Sequence, residues 1–211
     1  MNEALRAATI DAPAPAEVLA RRLRDLALAR RCAAGERAAQ RELFQREVDR
    51  VHHVLHRILG SAPEVEDAAQ EAMLAVFRSL PRFRGEATLA TWVDRITVRV
   101  AIAHLQRRRT AAPLDEAAWV AAPQVPIVQQ LFQHEAARRL YAALSGMEAR
   151  QRVAFVLHVI EERSMDEIAA AMGATRVATK ARVWRARREL ARRARRDPVL
   201  AALLAEEGAS P

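Results

Sequence analysis

The chain has 211 residues, a formal net charge of +8 and an isoelectric point near 11.2, a length that suits one or two small domains. Only 4% of the residues are aromatic while Ala, Leu, Arg and Glu abound, which favours an all-helical protein over a sheet protein. Cys32 is the single cysteine, so neither an internal disulfide nor a cysteine-based zinc site can form, and no apolar run reaches the roughly 20 residues that cross a bilayer. The expectation is a soluble, intracellular protein whose strong positive charge makes nucleic acid the first partner to consider. Lys180 is the only lysine. Base composition of a GC-rich genome is the plainest reading of that bias, yet arginine also makes bidentate and stacking contacts that lysine cannot.

In chain order, residues 1–16 are rich in Ala and Pro and read as disordered. A short helix is expected over 17–33 and a longer one over 36–59, striped by Leu43, Val51, Val54, Leu55, Ile58 and Leu59 and stopped by Gly60. "SAPE" at 61–64 is a capping box. It opens a helix that buries Val65, Ala69, Met73, Val76, Phe77 and Leu80 and ends at Pro81. After "RFRGEA", Thr88 can cap a long helix to about Arg109. Residues 110–126 hold three prolines (Pro113, Pro123 and Pro126), two acids and no base, and read as a linker. Helices follow over 128–144, from "SGME" (145–148) to Ile160, from "SMDE" (164–167) to Gly173, and from Thr175 to Arg196, with a weak tail over 197–211. The fold class is all-α: two small helical domains, 30–109 and 128–196, joined by the linker 110–127 and preceded by an extension over 1–29.

The last two helices have the short helix, glycine turn and longer helix of a helix-turn-helix. Thr179, Val183, Ala186 and Leu190 recur at i, i+4, i+7 and i+11 as the inward stripe. Between 174 and 196, ten residues are basic and only Glu189 is acidic. A recognition helix places its N-terminal residues at base edges and its later arginines on phosphates. A solvated Arg-rich helix in a small bundle is the competing reading. His52, His53 and His56 cluster on one helix without a placed Cys, Asp or Glu, so no metal is assigned. No phosphate-binding glycine loop, nucleophile elbow or convergent acid pair is present, and neither catalysis nor a cofactor is expected.

"EVEDAAQEAMLAVFRSLPRFRGEATLATWVDRITVRVAIAHLQRRR" (64–109) resembles the second conserved region of bacterial sigma factors of the sigma-70 family, extracytoplasmic-function (ECF) type. "LYAALSGMEARQRVAFVLHVIEERSMDEIAAAMG…KARVWRARREL" (140–190) resembles their fourth. The resemblance implies that Asp67, Gln70 and Glu71 dock on the polymerase beta-prime clamp. It implies that Phe83, Arg84, Gly85, Thr88, Trp92, Arg95 and Arg99 bind and melt the −10 element, with the 82–88 loop capturing a flipped base. Arg176, Lys180, Arg182, Trp184, Arg185 and Arg188 would bind the −35 element. For Phe83 and Trp92, packing in the core is the competing role. The implied partners are core RNA polymerase through its beta-prime and beta subunits, promoter DNA and an anti-sigma protein, without membrane insertion. A cytoplasmic place, nucleoid-associated when active, goes with them. The chain departs from the family pattern at Val93, Arg99, Ala103, Val177 and Ala178. A sigma-like regulator or anti-sigma-binding mimic that melts no DNA, and a general nucleic-acid-binding helical protein, are the alternatives.

Overall fold

The computed structural model describes residues 15–60, 62–110 and 127–202, and all its regular elements are helical. Eight α-helices run in order: α1 (Pro15–Ala33), α2 (Arg37–Leu59), α3 (Ala62–Ser79), α4 (Leu89–Thr110), α5 (Ile127–Ser145), α6 (Ala149–Phe155), α7 (Met165–Met172) and α8 (Arg176–Ala194). A single 3₁₀ turn covers Leu80–Arg82, and a π-helical turn continues α6 over Val156–Ile160. The linker expected over 110–127 falls largely outside the described residues, as does Ser61 of the first capping box.

Helix ends follow from local chemistry. Gly60 closes α2 in the left-handed conformation (φ +75°), where a residue without Cβ is favoured, and its N–H donates to His56 O. Ser164 starts α7 with a complete capping box: its hydroxyl accepts from Glu167 N while Glu167 reaches back to Ser164 N. Thr175 caps α8 by accepting from Ala178 N. "SGME" behaves otherwise. Ser145 ends α5, its hydroxyl donating to Ala142 O, and Glu148 is the cap of α6, its carboxylate accepting from Arg150 N and Gln151 N. A longer acceptor reached the free donors that the serine, still inside the preceding helix, could not.

The N-terminal module packs α2 against α3 and α4, with α3 against α4 and α1 laid across α2, α4 and the 3₁₀ turn. Leu28, Ala29 and Cys32 of α1 are buried, so the sequence boundary at residue 30 falls inside a packed helix. In the C-terminal module α8 packs on α6, α7 and α5. The stripe Thr179, Val183, Ala186 and Leu190 is its buried face, as the spacing predicts. The beginning of the tail is ordered too: Asp197 accepts from Val199 N and Leu200 N, and Leu200 is buried.

The two modules are not separate bodies. α4 packs against α6 and α7, α2 against the π-helical turn, and one contiguous apolar core runs through both modules.

Candidate nucleic-acid interface

The residues expected to read DNA fall on two surfaces, and those expected to dock on the polymerase clamp on a third. On α8, the side opposite the buried stripe carries Val177, Ala181, Trp184 and Arg188, four residues at helical spacing. Val177 is 80% exposed and Trp184 58%, large values for apolar side chains. The Arg188 guanidinium lies 5.2 Å over the Trp184 ring, within cation–π range. Arg176, Lys180 and Arg185 are exposed around this stripe; Arg176 pairs with Asp166 at 3.4 Å and Arg185 donates to Ala181 O. Arg182 differs. It is half-buried beside the inward stripe, and its buried Nη1 has no partner. A buried donor without an acceptor is costly, and an incoming anionic oxygen would satisfy it.

The second surface is the 82–92 junction. Gly85 turns the loop at φ +71°, and a Cβ there would meet Leu26 of α1 at 3.7 Å. Thr88 caps α4 through Thr91 N, and Asp25 of α1 accepts from Leu89 N at 2.8 Å. Phe83 is 8% exposed and meets Trp92 edge-on, with ring centroids 5.3 Å apart at 62°. The structure therefore joins the two rings as a core pair. Arg84, Arg95 and Arg99 are exposed around them, the last two one turn apart on α4.

The third is α3, where Asp67, Gln70 and Glu71 are exposed together with Leu74 one turn on. Glu71 accepts from His104 Nε2 and from Arg107, each at 2.9 Å. Burial acts upward on its carboxyl, but those hydrogen bonds outweigh it and hold Glu71 below the usual carboxylate range.

Several residues with structural authority over these surfaces were not singled out from sequence. Asp25 braces the start of α4 and also accepts from Arg46 at 2.8 Å. Asp94, buried on α4, takes Arg50 from α2 and Arg163 from the loop before α7. Arg152 is only 2% exposed and, among the described residues, forms no ion pair; its Nε and Nη2 donate to Ile58 O and Leu59 O, each at 2.9 Å. Burial pulls its guanidinium down to about 10, partly opposed by Tyr141. His53, from the histidine cluster, meets Glu161 at 3.1 Å. An isolated acid within "LRDLAL" was the one available signal for Asp25; for Arg152, whose partners lie more than ninety residues away, there was none.

A capped helix-turn-helix with an arginine-rich outward face, preceded by a helical bundle carrying an aromatic–arginine loop, defines a helical protein suited to binding DNA. Comparisons with known proteins agree. The family description "Sigma-70 region 2" matches residues 43–111, and "Sigma-70, region 4" matches residues 137–190. The chain is 30% identical over 161 residues to the ECF RNA polymerase sigma factor SigM of Mycobacterium tuberculosis, covering 75% of this chain and 79% of the relative. It is 26% identical over 179 residues to the ECF RNA polymerase sigma-E factor of Escherichia coli, covering 80% and 93%. The solved structure of CnrH in complex with the cytosolic domain of CnrY has a similar fold, at TM-score 0.55 and 21% identity over 86% of this chain and 97% of that one. The chain belongs to the ECF sigma factors of the sigma-70 family.

Proposed function

We propose that the protein is the promoter-specificity subunit of a bacterial RNA polymerase, initiating transcription at a narrow set of promoters. The observation that carries this reading is α8, which hides Thr179, Val183, Ala186 and Leu190 and presents Val177, Trp184 and Arg188 to solvent among exposed basic side chains. A helix so divided suits the major groove of the −35 element, with Arg176, Lys180, Arg185 and Arg188 on phosphates or base edges. Arg182 would complete its buried donor on a phosphate.

Asp67, Gln70 and Glu71, beside exposed Leu74, suit docking on the beta-prime clamp, where a polar, acid-leaning face meets a basic partner. Arg95 and Arg99 grip the −10 element while the 82–88 loop traps an unpaired base. Unstacking a base costs a few kcal/mol, which ring stacking and phosphate neutralisation together offset. Since Phe83 and Trp92 pack on each other, Arg84 and the Gly85 turn are the parts of the pocket accessible from the start. Polymerisation chemistry remains with the polymerase, and the protein works in the cytoplasm where that enzyme does. A protein antagonist engaging both modules, an anti-sigma factor, completes the partners; the partner seated on CnrH supports it.

Purified protein added to core polymerase on genomic fragments will give discrete start sites. Start sites at no promoter would favour the mimic that melts nothing. Arg84→Ala will leave closed complexes intact and reduce permanganate-reactive thymines in the bubble; an unaltered bubble would remove the loop from the melting surface.

A further inference from the structure

We infer that the outward face of the first half of α1, where Leu19, Arg22 and Leu23 stand, binds single-stranded DNA and holds the unpaired strand next to the base that the 82–88 loop captures. The inference rests on the sigma reading. It extends the −10 surface to a helix that lies ahead of the matched residues 43–111.

The two halves of α1 differ. The second is packed, with Asp25, Leu28, Ala29 and Cys32 buried. The first is bare: of residues 16–24 only Val18 is partly covered, and Leu19 and Leu23 stand 59% and 58% exposed. A solvated helix face is ordinarily polar, so two leucines one turn apart on it call for an occupant. Leu19, Arg22, Leu23 and Leu26 follow the spacing i, i+3, i+4, i+7 and share one face. Leu26 fixes where that face looks. A Cβ on Gly85 would stand 3.7 Å from its Cβ and from both its δ carbons, and α1 packs on the 3₁₀ turn that leads into the loop. The stripe therefore starts under the 82–88 loop and runs on from it uncovered.

Charge and size select the occupant. Residues 15–24 hold Arg21, Arg22 and Arg24 against one acid, Glu17. At about 100° per residue Glu17 lies on the opposite side of the helix from Leu26, so no acid interrupts the stripe and Arg22 sits between its two leucines. Arg82 and Arg84, exposed on the loop, continue the positive charge. An unpaired strand offers what this pattern fits: phosphates for the guanidinium, and base faces no longer stacked, against which leucine is among the side chains that wedge. Two leucines cover far less than the roughly 800 Å² that each partner gives up in a stable protein interface, which argues against a partner helix or a second copy. From Leu26 to Leu19 the helix rises about 10 Å, the span of about three nucleotides. Paired DNA keeps its base faces stacked, so the stripe adds affinity to the open complex and none to the closed one.

The test compares two templates built on a promoter where the wild type starts transcripts, one fully paired and one forked, with a strand left unpaired over the −10 element. Each is bound by core polymerase carrying the wild type, Leu19→Gln/Leu23→Gln or Arg22→Gln; glutamine keeps the helix propensity of the residues it replaces. The leucine variant will bind the forked template about tenfold more weakly, a loss of the size that goes with stripping apolar contacts from unstacked bases. Arg22→Gln will make the slope of log affinity against log salt on that template shallower by about 0.7, the single-strand value for one phosphate. Both variants will match the wild type on the paired template, in polymerase association and in helical circular dichroism. Unchanged affinity of the leucine variant for the forked template overturns the inference. So does weakened polymerase association, which gives the stripe to the enzyme, or wild-type self-association that the leucine variant abolishes, which gives it to a second copy. In each of those cases specific starts by the wild type still uphold the sigma reading, whereas a wild type that starts transcripts nowhere overturns that reading and this inference with it.

Discussion

The recognition helix α8 and the junction at 82–92 carry the same kinds of side chain, an aromatic ring beside arginines, and display them in opposite ways. Trp184 stands 58% exposed under Arg188, while Phe83 is 8% exposed with its edge against Trp92. Duplex DNA offers its groove edges without being opened, so a reader of duplex profits from a rigid, preformed face on a capped helix. An unpaired base does not exist until the duplex opens. In the proposed reading the pocket for it at 82–92 stays filled by its own rings until then, with Phe83 packed in the core in the meantime. In that reading, the preformed surface and the latent one are distinguished by what each ring touches before DNA arrives.

The widest gap between the two regions is in stability. Phe83→Ala removes a buried ring and is expected to cost about 3 kcal/mol in urea unfolding, as large-to-small core changes do. Trp184→Ala removes an exposed one and will stay within about 0.5 kcal/mol of wild type while weakening binding to a −35 duplex. Equal stability losses in the two variants would erase the distinction.

A smaller effect separates charge from rings. Arg185→Ala combined with Arg188→Ala will weaken −35 duplex binding and leave polymerase association intact. If each contacts one phosphate, the slope of log affinity against log salt will become shallower by about 2. Lost polymerase association would place these arginines on the enzyme instead of on DNA.

The preformed surface was the more legible of the two from sequence. The i, i+4, i+7, i+11 stripe of α8, the Ser164 box and the Gly173 stop are local signals separated by a few residues, and helical geometry decodes them directly. The junction depended on contacts that sequence spacing does not carry: Asp25 on Leu89 N is a pairing across 64 residues, and the boundary expected at residue 30 cuts through α1, which braces the module. The docking of the modules was hidden for the same reason. Arg152 sits in "RQR" among many arginines, and only the fold puts it against the end of α2. Charge on a helix is ordinarily solvated, so pattern alone assigns such a residue to the surface.

The finest distinction concerns what α8 reads. Val177 occupies the second position of the helix and is 80% exposed. An exposed β-branched side chain at the groove-entering end can offer only methyl groups, and the matching feature of a base edge is the C5-methyl of thymine. Replacing single thymines by deoxyuridine across a −35 duplex removes that methyl and nothing else. At one position the wild type will lose about fivefold in affinity, roughly 1 kcal/mol, and Val177→Ala will show the same loss on the thymine duplex with no further loss on deoxyuridine. The arginine variants will respond to that thymine as the wild type does, because phosphate contacts are blind to it. If wild type and Val177→Ala lose equally at every deoxyuridine, α8 reads its element through charge and hydrogen bonds alone.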